Sequence, residues 1–129
     1  MNLIFDILDG TYTIHQLQAG SVIPEAVYQS PFYNISKSKE ELSIVCLSSI
    51  QVNSAQSSAE WSCLKVHGPL DFSLTGILAN IAGVLADGGI SIFAISTFDT
   101  DYVLVKTENL KSAKKYLQEA GHSINPKNK

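Results

Sequence analysis

Cysteine is scarce in this 129-residue chain, basic residues are outnumbered, and no apolar run is long. Each shortage excludes something. The only two cysteines, Cys46 and Cys63, fall inside predicted strands, and their spacing to His15, His67 and His122 suggests no metal site. Met1 to Leu8 includes Asp6 and has no basic start, unlike a secretory leader. The expected setting is therefore the reducing cytoplasm, with both thiols free; a disulfide between them would need an oxidising compartment. Lys and Arg total 9 against 12 Asp and Glu, a net charge of −3, so the basic stripe of a nucleic-acid binder is missing. The one basic cluster, Lys111, Lys114 and Lys115, reads as the solvated face of the last helix. The longest apolar stretch is too short to cross a bilayer. There is no G-x-S-x-G, phosphate loop or dinucleotide fingerprint, and Cys63 has no evident activating base. The chain is expected to be neither an enzyme nor a carrier of a cofactor or metal.

What is present reads as mixed α and β structure. Asp9-Gly10 is a turn pair, and Thr11 to Leu17 alternates as a strand does. Ile23 to Tyr28 suits about one helical turn, with Pro24 tolerated in the first turn. Phe32–Ser36 and Leu42–Leu47 predict a hairpin around the charged turn Lys37-Ser38-Lys39-Glu40. Residues 48–60, rich in Ser, Gln and Asn, read as a connector and divide the chain into 1–60 and 61–129.

The second half is clearer. Trp61–His67 predicts a strand. Leu74, Ile77, Leu78, Ile81, Val84 and Leu85 form the apolar stripe of a helix over 73–87, with Asp71 or Ser73 as its cap and Asp87-Gly88-Gly89 as its end. Ile90–Ile95 is apolar on both faces and predicts an inner strand, followed by a polar turn and a strand at Tyr102–Val105. Leu110, Ala113, Leu117 and Ala120 mark a second helix ended by Gly121, and His122–Ile124 a short closing strand. The order β-α-β-β-α-β predicts a ferredoxin-like α+β fold, two helices on one face of an antiparallel sheet. The first half reads as a shortened copy without a second helix.

Candidate chemistry gathers where the strand ending at His67 meets the helix, and in the polar turn. A helix start offers free N–H groups and the positive end of a dipole, which can hold a carboxylate without Arg or Lys. Asp71, Asp101 or strand carbonyls can meet an ammonium group. Together these suit a small zwitterion. The plainer alternatives stand beside that reading: Asp71 as a cap, Gly68-Pro69 as turn punctuation, Thr97 and Phe98 as edge-strand residues. Asp99 and Asp101 alternate along the chain, so they do not form one acid/base pair. His15 reads as a packed core histidine. His67, beside the glycine loop, is either a solvent-facing residue, a pH-sensitive group or a ligand contact.

Several of these motifs resemble the ACT domain, the small ligand-binding module of amino-acid metabolism. They are Tyr12-Thr13-Ile14, Glu41 to Cys46, Gly68-Pro69-Leu70-Asp71-Phe72, the helix ending in Asp87-Gly88-Gly89-Ile90, and Ile95-Ser96-Thr97-Phe98-Asp99-Thr100-Asp101-Tyr102. The chain is similar to the regulatory part of aspartate kinases, to short bacterial tandem-ACT proteins and, in its second half, to the CASTOR arginine sensors. The resemblance implies two tandem ACT lobes, the first truncated, in a regulatory, allosteric protein that forms a homodimer. It implies an amino-acid ligand, arginine-like in the CASTOR case, held at a lobe or subunit interface. By position, the implied ligand-binding residues are Gly68, Pro69, Leu70, Asp71, Phe72, Ser73, Thr97, Phe98 and Asp101. The rival expectations are a ligand-free protein-interaction module and, least favoured, a small enzyme acting on an amino-acid derivative.

Overall fold

The two apolar stripes become two helices that pack together, α1 (Ile77–Asp87) and α2 (Leu110–Glu119). The computed structural model describes residues 1–68, 70 and 75–126. Its contacts divide the chain into two units, one made of Gly10–Trp61 and one of Met1–Asp9 with Ser62–Lys129.

In the latter unit, Ile77, Ile81 and Leu85 of α1 and Ala113 and Leu117 of α2 are buried with Phe5, Leu64, Val66, Ile90, Val103 and Val105. The strand residues recur every second position, so one sheet face meets both helices. The strands are β1 (Ile4–Ile7), the last part of β5 (Gln56–Val66), β6 (Phe93–Ser96), β7 (Asp101–Lys106) and β8 (Ser123–Ile124). They lie in the order β6-β7-β5-β1-β8. The sequence β5-α1-β6-β7-α2-β8 is the ferredoxin-like β-α-β-β-α-β. β1 is an addition that the sequence did not reveal. It lies between β5 and β8, antiparallel to the first (Phe5↔Val66, Asp6↔Lys65, Ile7↔Leu64) and parallel to the second (Ile4↔Ser123, Phe5↔Ile124).

Both helices end in a Schellman motif, which satisfies carbonyls that a helix end leaves open. In α1 the Ile90 N–H donates to Leu85 O (2.9 Å) and Gly89 N–H to Ala86 O (2.9 Å). In α2 the His122 N–H donates to Leu117 O (3.0 Å) and Gly121 N–H to Gln118 O (3.0 Å). The start of α1 departs from expectation. Thr75 and Gly76 are not helical, and the helix begins at Ile77 rather than residue 73. Gly76 occupies the N-cap with a left-handed backbone (φ +78°) and no side-chain cap bond, a conformation that cannot continue a right-handed helix inward. Asp71 and Ser73, expected as caps, and Leu74 of the stripe lie outside the described residues.

The other unit holds β2 (Tyr12–Leu17), β3 (Asn34–Lys37), β4 (Leu42–Leu47) and the first part of β5, in the antiparallel order β3-β4-β2-β5. Leu17, Val27, Leu42, Ile44 and Cys46 form its core. A short 3-10 helix, Glu25–Gln29, supplies Val27, with Pro24 at its N-cap. This unit contains no α-helix, as the shortened first lobe implies.

Two expected boundaries move. The polar connector ends at residue 55, because Gln56, Ser57 and Ser58 pair with Gln16, His15 and Ile14 as the start of β5. Polar side chains give a strand no apolar alternation to announce it. The ladder shifts register between Tyr12 and Ile14, near Glu60, which has φ +66°, as a bulge requires. The expected inner strand at Ile90–Ile95 is instead, among the described residues, the edge strand β6, paired there only with β7, and Ala94 is exposed. Ile90 and Ile92 join the helix core ahead of the strand, so the apolar run serves two roles.

Candidate functional site

Backbone groups hold the end of β5 against the turn between β6 and β7. Within the turn, Thr97 N–H donates to Thr100 O (2.8 Å), and the Thr97 hydroxyl donates to the same oxygen (3.1 Å). Thr100 N–H reaches back to Thr97 Oγ1 (3.4 Å). Two further bonds tie this turn to the strand end. The Thr100 hydroxyl donates to Val66 O (2.6 Å), and Leu70 N–H donates to Asp99 O (2.7 Å). Gly68 lies inside the joint. A Cβ there would stand 3.2 Å from Leu70 N, 3.3 Å from Asp99 O and 3.4 Å from Thr100 Cβ, two of them backbone atoms. Glycine is needed here for close approach rather than for an unusual φ.

The structure thus brings Gly68 and Leu70 to the turn that carries Thr97, Phe98 and Asp101. Thr97 and Phe98 are exposed, Phe98 at 78%. Asp101 is half-buried opposite Ser96 in the closing pair of the β6–β7 hairpin, and the Ser96 hydroxyl donates to its Oδ1. One carboxylate oxygen is therefore engaged in holding the side chain. Pro69, Asp71, Phe72 and Ser73, the remaining expected site residues, lie outside the described residues.

A second polar cluster adjoins the loop, and sequence reasoning missed it. His67 N–H donates to Ile4 O (2.7 Å), and His67 Nδ1 stands 3.0 Å from Asp6 Oδ2. Asn125 Nδ2 donates to Asp6 Oδ1 (2.6 Å). The Asn125 amide foremost, then His67 and the charge of Lys65, hold the Asp6 carboxyl below its ordinary value. Asp6 and Asn125 are 119 residues apart, so no local pattern could pair them. Asp6 meets His67 because β1 pairs with the end of β5, and Asn125 meets Asp6 because β8 pairs with β1.

The other histidines are structural. His15 is buried, with Nδ1 3.0 Å from Ser54 Oγ and Nε2 without a partner among the described residues, and burial pushes its pKa down. His122 is also buried; its Nδ1 accepts from Leu3 N–H (3.0 Å) and Nε2 contacts Asn80 Oδ1 (2.8 Å). Cys46 and Cys63 are buried free thiols, and burial pushes Cys63 up to about 12. Such thiols are poor nucleophiles at neutral pH. Lys111 and Lys115 lie on the exposed face of α2. Among the described residues no three His, Cys, Asp or Glu side chains are grouped to hold a metal ion, and no helix is long and apolar enough to cross a membrane.

A β-α-β-β-α-β unit whose first loop is bonded to its β-hairpin turn defines a ferredoxin-like domain. The family model described as an ACT domain matches residues 56–119, and a separate N-terminal-domain model matches residues 10–51. The chain belongs to the ACT-domain family. The crystal structure of protein Atu0741 from Agrobacterium tumefaciens is 36% identical, with a TM-score of 0.92, covering 100% of this chain and 96% of that one. The ligand-free regulatory subunit of aspartate kinase from Thermus thermophilus shares the fold, with a TM-score of 0.62 at 10% identity over 90% of this chain and 96% of that one. The mouse protein named cytosolic arginine sensor for mTORC1 subunit 1 is 32% identical over 115 residues, which is 83% of this chain. The chain spans only 34% of the length of that relative. The family match supports a ligand-binding regulatory role.

Proposed function

We propose that the chain is an amino-acid sensor that holds its ligand between the loop 68–73 and the turn 97–101, with arginine as the first candidate. The observation that carries this reading is the bonded joint between Leu70 and Asp99 and between Thr100 and Val66, one residue before the half-buried Asp101. A carboxylate already oriented by Ser96 suits an ammonium or guanidinium group. The exposed Phe98 ring offers an apolar surface for an aliphatic stem. Backbone N–H groups of the loop beyond Leu70 would take the ligand carboxylate, and Gly68, Pro69, Leu70, Asp71, Phe72 and Ser73 belong to the proposal with Thr97, Phe98 and Asp101. The arginine-sensor relative supports the ligand class. A cytoplasmic homodimer whose arrangement the ligand shifts, without catalysis, completes the reading.

A thermal-shift screen against the proteinogenic amino acids tests it. A ligand at about 100 times its Kd adds roughly 2.7 kcal/mol of apparent stability. In a chain of this size that moves the midpoint by several degrees. The expected outcome is a shift by L-arginine or another single amino acid. A screen in which none shifts the midpoint overturns the proposal and leaves the protein-interaction module standing.

A further inference from the structure

We infer that Thr100 is a positioning residue of the proposed amino-acid site, a clamp that sets the gap between turn and loop before any ligand arrives. The inference rests on the function proposed above. Thr100 is only 4% exposed, so its hydroxyl serves the protein rather than a molecule arriving from solvent. That hydroxyl donates to the carbonyl of Val66, the last residue of β5. The carbonyl of Thr100 meanwhile receives both the N–H and the hydroxyl of Thr97. One residue therefore closes the turn and anchors it.

The anchoring has a consequence on each side. Towards the loop, it holds Asp99 O where Leu70 N–H can reach it, at 2.7 Å. Gly68 packs against Asp99 O and Thr100 so closely that a Cβ would require its neighbours to yield by a few tenths of an ångström. Towards β7, the next residue is Asp101, whose carboxylate is oriented across the hairpin by Ser96. The backbone that presents Asp101 and the backbone of the loop are thus coupled through one buried side chain and one backbone hydrogen bond beside it. Valine would fill the same space at Thr100, so packing does not account for the hydroxyl. A site whose parts are held beforehand does not lose binding free energy to ordering them.

The test compares Thr100→Val, which removes the hydroxyl and keeps the shape, with Thr100→Ser, which restores it. The first readout needs no ligand: hydrogen exchange of the Leu70 amide, against the amides of Val103 and Leu104 as internal controls. The second is calorimetric titration with L-arginine. One buried hydrogen bond corresponds to about a tenfold change in an equilibrium. Thr100→Val is expected to speed Leu70 exchange by about tenfold and weaken L-arginine binding by about tenfold, with the control amides unchanged. Thr100→Ser is expected to restore both. Leu70 exchange that stays at the wild-type rate in Thr100→Val overturns the clamp, and so does faster exchange with unaltered L-arginine affinity. A wild type that does not bind L-arginine refutes arginine as the ligand, while the exchange comparison still decides whether the clamp exists. Should Thr100→Val not fold, Gly68→Ala strains the same joint from the loop side. It must then give the same two changes, and wild-type values for both would overturn the inference.

Discussion

Replacing His122 with leucine should unfasten both chain ends from α1. The imidazole is 4% exposed and bonded at both nitrogens. Leu3 N–H donates to Nδ1 at 3.0 Å, so the ring proton sits on Nε2 and is donated to Asn80 Oδ1 at 2.8 Å. The ring also meets Phe5 edge-on, with centroids 5.8 Å apart. Leucine keeps much of the volume and loses every polar contact. Two hydrogen bonds at about 1 kcal/mol each, and about 1 kcal/mol for an amide left without its acceptor, predict a loss of about 3 kcal/mol. At roughly 4 °C per kcal/mol for a domain of this size, the melting midpoint should fall by roughly 12 °C. Urea unfolding gives the free energy directly, and exchange of the Leu3 amide gives the local cause. That amide should be protected in the wild type and exchange freely in His122→Leu. A loss below about 1 kcal/mol with Leu3 still protected would refute the reasoning.

Acid should destabilise the protein in two stages. Burial holds the imidazoles of His15 and His122 below their ordinary value, so on acidification the unfolded chain takes up those protons first. Their contribution is complete above about pH 6.5 and is lost as pH falls through the lower folded values. The depressed Asp6 carboxyl contributes above its ordinary value of 3.8 and loses that contribution below it. Midpoints measured from about pH 7.5 down to about pH 5 should therefore fall, and His122→Leu should flatten the slope; a rise would contradict the assignment. Cys46 and Cys63, both buried and pushed above the ordinary thiol value, should resist a thiol reagent in the native protein and react fully after unfolding, as read by intact mass. Labelling of the folded protein would contradict that burial.

The helices were legible because Ile77, Ile81 and Leu85, like Ala113 and Leu117, repeat at helical spacing, and because Gly89 and Gly121 mark their ends. β2 was legible by alternation, and β4 as one arm of a hairpin around the charged turn. Three features were hidden, each for its own reason. β1 is four residues long and carries Asp6, so its place is set by partners at Leu64–Val66 and Ser123–Ile124 rather than by local pattern. The first part of β5 is polar, and only its ladder with β2 makes it a strand. Ile90–Ile95 looked like one buried strand because an apolar run does not reveal which residues face a helix and which lie at an edge. At the candidate site, the turn motif pointed to Thr97, Phe98 and Asp101. The residues that hold it together were not evident. Thr100 and Ser96 stood in the turn motif with no role of their own until the fold supplied Val66 and Asp101 as their partners.

Titration of the wild type and Asp101→Ala with L-arginine by calorimetry reaches the central claim most directly, since Asp101 is the one described carboxylate assigned to the ligand's cationic group. The account predicts a saturable isotherm for the wild type, and a loss of about ten- to a hundredfold in affinity for Asp101→Ala, the scale of a charge-assisted bond removed from a half-buried site. The unliganded melting midpoint should stay near that of the wild type. Saturable binding that survives undiminished in Asp101→Ala would contradict the account.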